Sequence, residues 1–272
     1  MTASDFLSAY VPRAIPGVGH RRFLRVVERN VAVYKRFWPV FLTGFAEPLM
    51  FLGSIGIGVG HLVRTVSGPG GEQISYALFV APGLLATSAM NGAIIDTTFG
   101  FFINFKYSHT YDGMLATPMR IADVARGEAT WALLRGTVYS TVFLVTMVLL
   151  GYVRSPWAVC ALPVAVLVGF AFAGAGLACT TWMRSFIDFD FVNLALVPMF
   201  LFSAVFFPLS RYPEAVGWLV RITPLYQGVA LERGLVLGQL SWQMLGHAAY
   251  LAIMGTVGLR IAGRRLRLLL QP

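Results

Sequence analysis

Glu47 is the one carboxylate set deep in an apolar run, FLTGFAEPLMFLG (residues 41–53), and Pro48 follows it directly. It lies about 10 residues into the apolar block that starts near Phe37, roughly 15 Å along a helix from that start. An ionised carboxylate at that depth in a bilayer costs about 2.5–3.5 kcal/mol. Glu47 is therefore expected to be protonated, paired, or turned to a wet cavity. Pro48 removes the hydrogen bond to the Gly44 carbonyl and should kink the helix, and Gly44 eases the kink. Gly44, Glu47 and Pro48 thus read as a hinge. Two roles stay open for it: a structural kink satisfied by neighbours, or a group facing a transport path.

The remaining acid–base and nucleophilic residues form no recognisable catalytic set. His20, His61, His109 and His247 are scattered without metal-ligand spacing. Cys160 and Cys179 sit 19 residues apart in one apolar block, about 28 Å along a straight helix, too far to pair easily. His109 and Asp112 are near each other, but no second cluster completes a site. There is no GxxxxGK[ST] phosphate loop: SGPGGE at 67–72 lacks the lysine. Neither GxSxG nor HExxH occurs. Any ATP, with its Mg, must be bound by another chain, and no cofactor is expected on this one.

One polar segment has the marks of a docking element. In LATPMRIADVARGE, Thr117 can cap a helix whose first residue is Pro118. Met119, Ile121, Ala122 and Val124 give that helix an apolar side; Arg120, Asp123, Arg126 and Glu128 give it a charged one. Gly127 offers a break before the next apolar block. The alternative is a simple extension of that block.

The elements that must carry these residues are set by composition. Of 272 residues 57% are apolar and only 12% charged, and mean hydropathy is +0.71. Soluble domains carry roughly 25% charged residues. Six apolar blocks, at about 37–60, 76–99, 131–151, 157–182, 187–208 and 243–262, are each long enough to cross a bilayer. The fold expected is an all-α integral membrane protein with six spans. Its first block begins near Phe37 and is too long for a signal peptide, so it is read as a retained span.

The net charge of +9 would suggest nucleic acid in a soluble protein. Here it follows membrane topology. With the N-terminus inside, only Arg64, Arg154, Arg211, Arg221 and Arg233 of the 21 Lys and Arg fall outside. Both termini are therefore expected in the cytoplasm, with membrane lipids and no nucleic acid as partners. Residues 1–36 form a cytoplasmic segment, 37–262 the membrane domain, and 263–272 a basic tail. Within the first, Phe23, Val26, Val27, Val31 and Tyr34 recur at helical spacing among arginines, which suits an amphipathic helix on the membrane surface. The alternative is a basic flank of the first span. Between the last two spans, 209–242 is half apolar and broken by Pro and Gly, as either short re-entrant helices or a surface loop.

Together these features resemble the permease subunits of ABC type-2 exporters, in the branch holding nodulation-factor (lipo-oligosaccharide) and drug exporters. The resemblance rests on the basic helix before span 1, the Glu47–Pro48 pair, TPMRIADVARGE ahead of span 3, and FLFSAVFFPLSRYPE leading into ITPLYQGVALERG. It covers roughly residues 20–268. It implies a bacterial inner (plasma) membrane protein without catalytic activity of its own. Its partners would be ABC nucleotide-binding (ATPase) subunits and a second permease subunit, identical or paralogous. It also implies that Thr117, Pro118, Met119, Arg120 and Asp123 belong to a cytoplasmic coupling helix, and that the segment after span 5 is re-entrant. Spans 2 and 5 would line the dimer interface or cargo path, with Met90, Met199, Phe202 and Phe206 on the wall; lipid-facing side chains are the alternative. The implied cargo class is drugs, lipids, glycolipids or saccharides. A secondary transporter would need more midplane charges than Glu47, and a membrane lipid or sugar transferase would need an acidic or histidine cluster; neither is found in the sequence.

Overall fold

Amphipathic spacing produces the first helix of the computed structural model, which describes residues 22–36, 46, 48–63, 65–68, 70–108 and 110–270. Helix α1 (Arg22–Arg36) buries Val26, Val27 and Asn30 and places Lys35 and Arg36 in its last turn, where cations complement the carbonyl end. Gly44 and Glu47 of the expected hinge lie outside the described residues. Pro48 is buried at the start of α2 (residues 48–63), whose middle, Leu52–Val59, winds in wide π-helical turns.

A short hairpin, β1 (Thr65–Ser67) and β2 (Gln73–Ser75), pairs Val66 with Ile74 and leads into α3. The Ser75 hydroxyl accepts from the Leu78 N–H and caps α3 (Tyr76–Tyr107). Its first part, Tyr76–Ile95, is apolar all round and almost wholly buried, as the central member of a bundle must be. Then follow α4 (Thr110–Leu115), α5 (Ile121–Leu149), α6 (Pro156–Thr180), α7 (Asp188–Leu201), α8 (Glu214–Ile222), α9 (Pro224–Leu237) and α10 (Gln243–Leu270).

Four of these helices, α3, α5, α6 and α10, are long and apolar enough to cross a membrane, with 32, 29, 25 and 27 qualifying residues. The other two expected spans are less regular. Helix α7 has 14 residues and gives way to non-helical chain over 202–208, and α2 is described only from residue 48. Helix α10 runs on to Leu270, so the basic tail continues the last helix.

Helix α3 packs on α5, α6 and α9, and α6 lies along α10. The small residues of GFAFAGAGLAC serve both of the contacts of α6, with α10 and with α3. A side chain at Gly174 would be driven into the Gly255 carbonyl of α10, and one at Gly176 into Thr97 of α3. Close backbone approach of this kind is how small residues join helices in lipid. In contrast, α7 buries no residue, and Phe191, Leu194, Val197 and Leu201 are exposed along it. Among the described residues its cover is limited to partial contacts such as Phe51 of α2 against Phe200, with ring centroids 5.7 Å apart.

Candidate docking and transmission site

The polar segment at 110–120 is built differently from its sequence expectation. Thr117 does not cap a helix starting at Pro118. Its hydroxyl donates back to the Met114 carbonyl at 2.6 Å and closes the turn after α4. Helix α5 begins three residues later, at Ile121, and the Asp123 carboxylate accepts from the Arg120 N–H at 3.1 Å. A carboxylate in the first turn both satisfies a free N–H and faces the positive end of the helix. Asp123 is buried in this role, whereas Thr117, Pro118 and Arg120 are exposed and Met119 packs on the apolar cluster below. The exposed surface is therefore the turn Asp112–Arg120, with α4 as its short helix.

Gly127 provides no break, since α5 runs through it. It is instead the seat of α1. A Cβ there would stand 2.5 Å from the Val26 Cβ and 2.8 Å from the Phe23 carbonyl oxygen. Only glycine lets the two helices cross this closely, and α1 is thereby laid against the root of α5.

The next residue, Glu128, ties three elements together. Its buried carboxylate accepts from Asn30 Nδ2 at 2.9 Å and Arg29 Nη2 at 3.0 Å, both on α1, and from the Tyr111 hydroxyl of α4 at 2.9 Å. Burial, then the Glu128 charge, push the Tyr111 hydroxyl well above its usual range, so it stays a donor. Arg22 adds a bond to the Pro118 carbonyl. The exposed turn is thus linked to α1 and α5 through buried groups.

Two turns deeper a second cluster joins α1, α3 and α5. Arg135 and Asp96 form an ion pair, each with a side chain 7% exposed, and the Tyr34 hydroxyl donates to Asp96 at 3.2 Å. Burial, then Asp96, raise the Tyr34 hydroxyl to about 12. The Arg135 guanidinium also lies over the rings of Tyr34 and Tyr139, at 5.1 and 5.3 Å. Asp96 opens one of two π-helical stretches of α3, Asp96–Gly100 and Ile103–Tyr107. The widened turn is supported by the Thr180 hydroxyl of α6, which donates to the Thr97 carbonyl at 2.8 Å. Such bulges in long helices are frequent at functional sites.

The residues expected on a subunit-facing wall divide. Met90 and Phe206 are packed inside this protomer's core, and Met199 is partly buried against it; Phe202 is exposed. Aromatic side chains near the C-terminal end of α3 have a local purpose. Phe102 of α3 meets Phe189 at 5.2 Å, and Tyr107 stacks on Phe186 at 4.7 Å, which fastens the start of α7 to α3. Among the described residues Asp188 forms no ion pair with the Arg184 side chain. It caps α7 by accepting from the N–H groups of Arg184 and Ser185, at 2.6 and 3.1 Å.

At the opposite end, Arg233 solves a backbone problem. The chain over 202–208 is not helical and Ala204 has φ 55°, so carbonyls are left without helical partners. Arg233 Nη2 donates to Ala204 O and Val205 O at 2.9 and 3.4 Å, and Nε to Phe79 O at 3.2 Å. Irregular backbone within a membrane domain needs such internal partners. Its neighbour Glu232 is fully buried with both carboxyl oxygens unpartnered among the described residues; nothing in the structure explains it.

A bundle of long apolar helices, with a basic amphipathic helix and a polar turn clustered at one end, defines a polytopic helical membrane protein. The ABC-2 type transporter family model matches residues 21–237, and the chain belongs to that family. It is 32% identical over 242 residues to Nodulation protein J of Rhizobium leguminosarum bv. trifolii, covering 88% of this chain and 90% of that protein. The bv. viciae protein of the same name is 30% identical, covering 92% and 95%. Nodulation protein J of Rhizobium meliloti (strain 1021) is 31% identical, covering 83% and 84%.

Proposed function

We propose that this chain is the permease subunit of an ATP-driven exporter of the inner membrane, working with separate ATPase subunits and a second permease subunit. In this reading the chain crosses the membrane six times with both termini in the cytoplasm, α2 being the outer part of span 1 and α7 the inner part of span 5. The apolar face along α7 is covered by the second permease. Helices α8 and α9 dip into the far leaflet. The ATPase docks on the turn Asp112–Arg120, and the cargo is an amphipathic molecule such as a drug, lipid, glycolipid or saccharide.

The observation that supports this reading best is the linkage behind that turn. Tyr111 of α4 is buried under the exposed surface and bonded to Glu128, which also holds Arg29 and Asn30. A push on Asp112–Arg120 is transmitted to α1 and α5 as one rigid unit, which is the differential contact a two-state transporter requires. Exchanging charge on that surface tests it. Tagged chain purified in mild detergent should bring down an ATP-hydrolysing subunit, and Arg120→Glu should lose it while remaining folded. Undiminished association and efflux in Arg120→Glu would remove the docking assignment.

A further inference from the structure

Four arginines converge on one crevice at the α1 end of the bundle. Arg126 of α5 and Arg260, Arg264 and Arg267 of α10 line a cavity of about 410 Å³ whose floor is apolar, with Phe170 and Leu259. None of the four takes part in an ion pair among the described residues. Among the carboxylates of this end, Glu28 is held by Arg25, Glu128 by Arg29 and Asp96 by Arg135, and Asp123 and Asp188 serve as helix caps.

Topology alone asks for positive charge on this side of the membrane; it does not ask for four guanidinium groups on one apolar crevice. Their level is also informative. Helix α10 is peripheral and exposes Val257 just before the arginines and Ile261 among them, so the cluster sits where an apolar surface meets water. Long basic side chains at that level keep their stems in the apolar region and their charges at the head groups. Guanidinium groups bind phosphate oxygens in pairs and tolerate partial burial better than ammonium groups.

We propose that this crevice is a binding site for an anionic phospholipid of the adjoining leaflet. The phosphodiester lies among Arg126, Arg260, Arg264 and Arg267, and an acyl chain runs over Phe170 and Leu259. The site lies outside the Asp112–Arg120 turn, and its occupant is a membrane lipid rather than the ATPase.

The test uses the full chain, purified and exchanged into nanodiscs of phosphatidylcholine doped with phosphatidylglycerol, with native mass spectrometry reading the retained lipid and no ATPase present. Phosphatidylglycerol should be retained at least tenfold over phosphatidylcholine. The triple variant Arg260→Gln, Arg264→Gln, Arg267→Gln should lower retention roughly 100-fold, at about fivefold per arginine near an anionic surface. The double variant Lys35→Gln, Arg36→Gln, which removes charge from the same end, should keep the preference. Equal retention of both lipids, or a preference unchanged in the triple variant, would overturn the site. So would inorganic phosphate displacing the lipid at micromolar concentration, which would make free phosphate the ligand. Loss of a co-purifying ATPase from the triple variant with lipid retention intact would reassign the arginines to protein docking.

Discussion

Glu128→Ala should release α1 from the bundle. The substitution leaves Asn30 Nδ2 and the Tyr111 hydroxyl, 6% and 1% exposed as residues, without the acceptor both now share. A buried donor left unpaired costs about 1–3 kcal/mol, so the two together cost about 2–6 kcal/mol. Arg29 adds little, because its side chain is 24% exposed and can turn to water. At the root of α5, α1 is then held by Val26 and Phe23 against Gly127, with the Tyr34 contacts two turns deeper, so the loss appears at the root first. At tenfold per 1.4 kcal/mol, opening of α1 should rise roughly 30-fold to 10⁴-fold. Hydrogen exchange on the full chain in nanodiscs reads this directly: amides of 22–36 should exchange faster, with those of α6 and α10 unchanged. Glu128→Gln keeps an acceptor oxygen and should show about tenfold or less. Unchanged exchange over 22–36 in Glu128→Ala would refute the hub. Uniform acceleration across the whole chain would refute the local linkage.

Other substitutions probe separate contacts. Gly127→Leu should displace α1 without removing a hydrogen-bond partner, giving the same local exchange increase as Glu128→Ala, since its Cβ alone meets Val26 and the Phe23 carbonyl. Glu232→Met should raise the melting temperature in detergent, because it removes an unpartnered buried carboxyl worth about 1–3 kcal/mol. Arg233→Met should lower it by a comparable or larger amount, because it strands the carbonyls of Phe79, Ala204 and Val205; differential scanning fluorimetry distinguishes the two signs.

The long elements were legible in the sequence, since a membrane span announces itself by length and apolarity. So was α1: the spacing of Phe23, Val26, Val27, Val31 and Tyr34 fixes a helix whatever covers it, and Val26 and Val27 are on its buried side. The start of α5 did not follow, because Thr-Pro is a common cap and the competing cap, Asp123 to the Arg120 N–H, is equally local. The clusters were hidden for a different reason. Glu128 meets Asn30 across 98 positions and Arg29 across 99, and no periodicity carries such a distance. Arg135 read as one more topological charge. A signal was present, though: an arginine inside one apolar block and an aspartate near the inner end of another cannot both stay unpaired in lipid.

The central claim is that an ATPase subunit presses on the turn Asp112–Arg120. Photocrosslinking from that turn addresses it most directly. A photoreactive side chain at Thr117, and a control at exposed Trp242 on the opposite end, would be placed in the full chain and irradiated in native membranes. Crosslinking of an ATP-hydrolysing subunit from position 117 and none from 242 is the predicted result. A complex that hydrolyses ATP yet gives no crosslink from 117, or gives one from 242, would contradict the account.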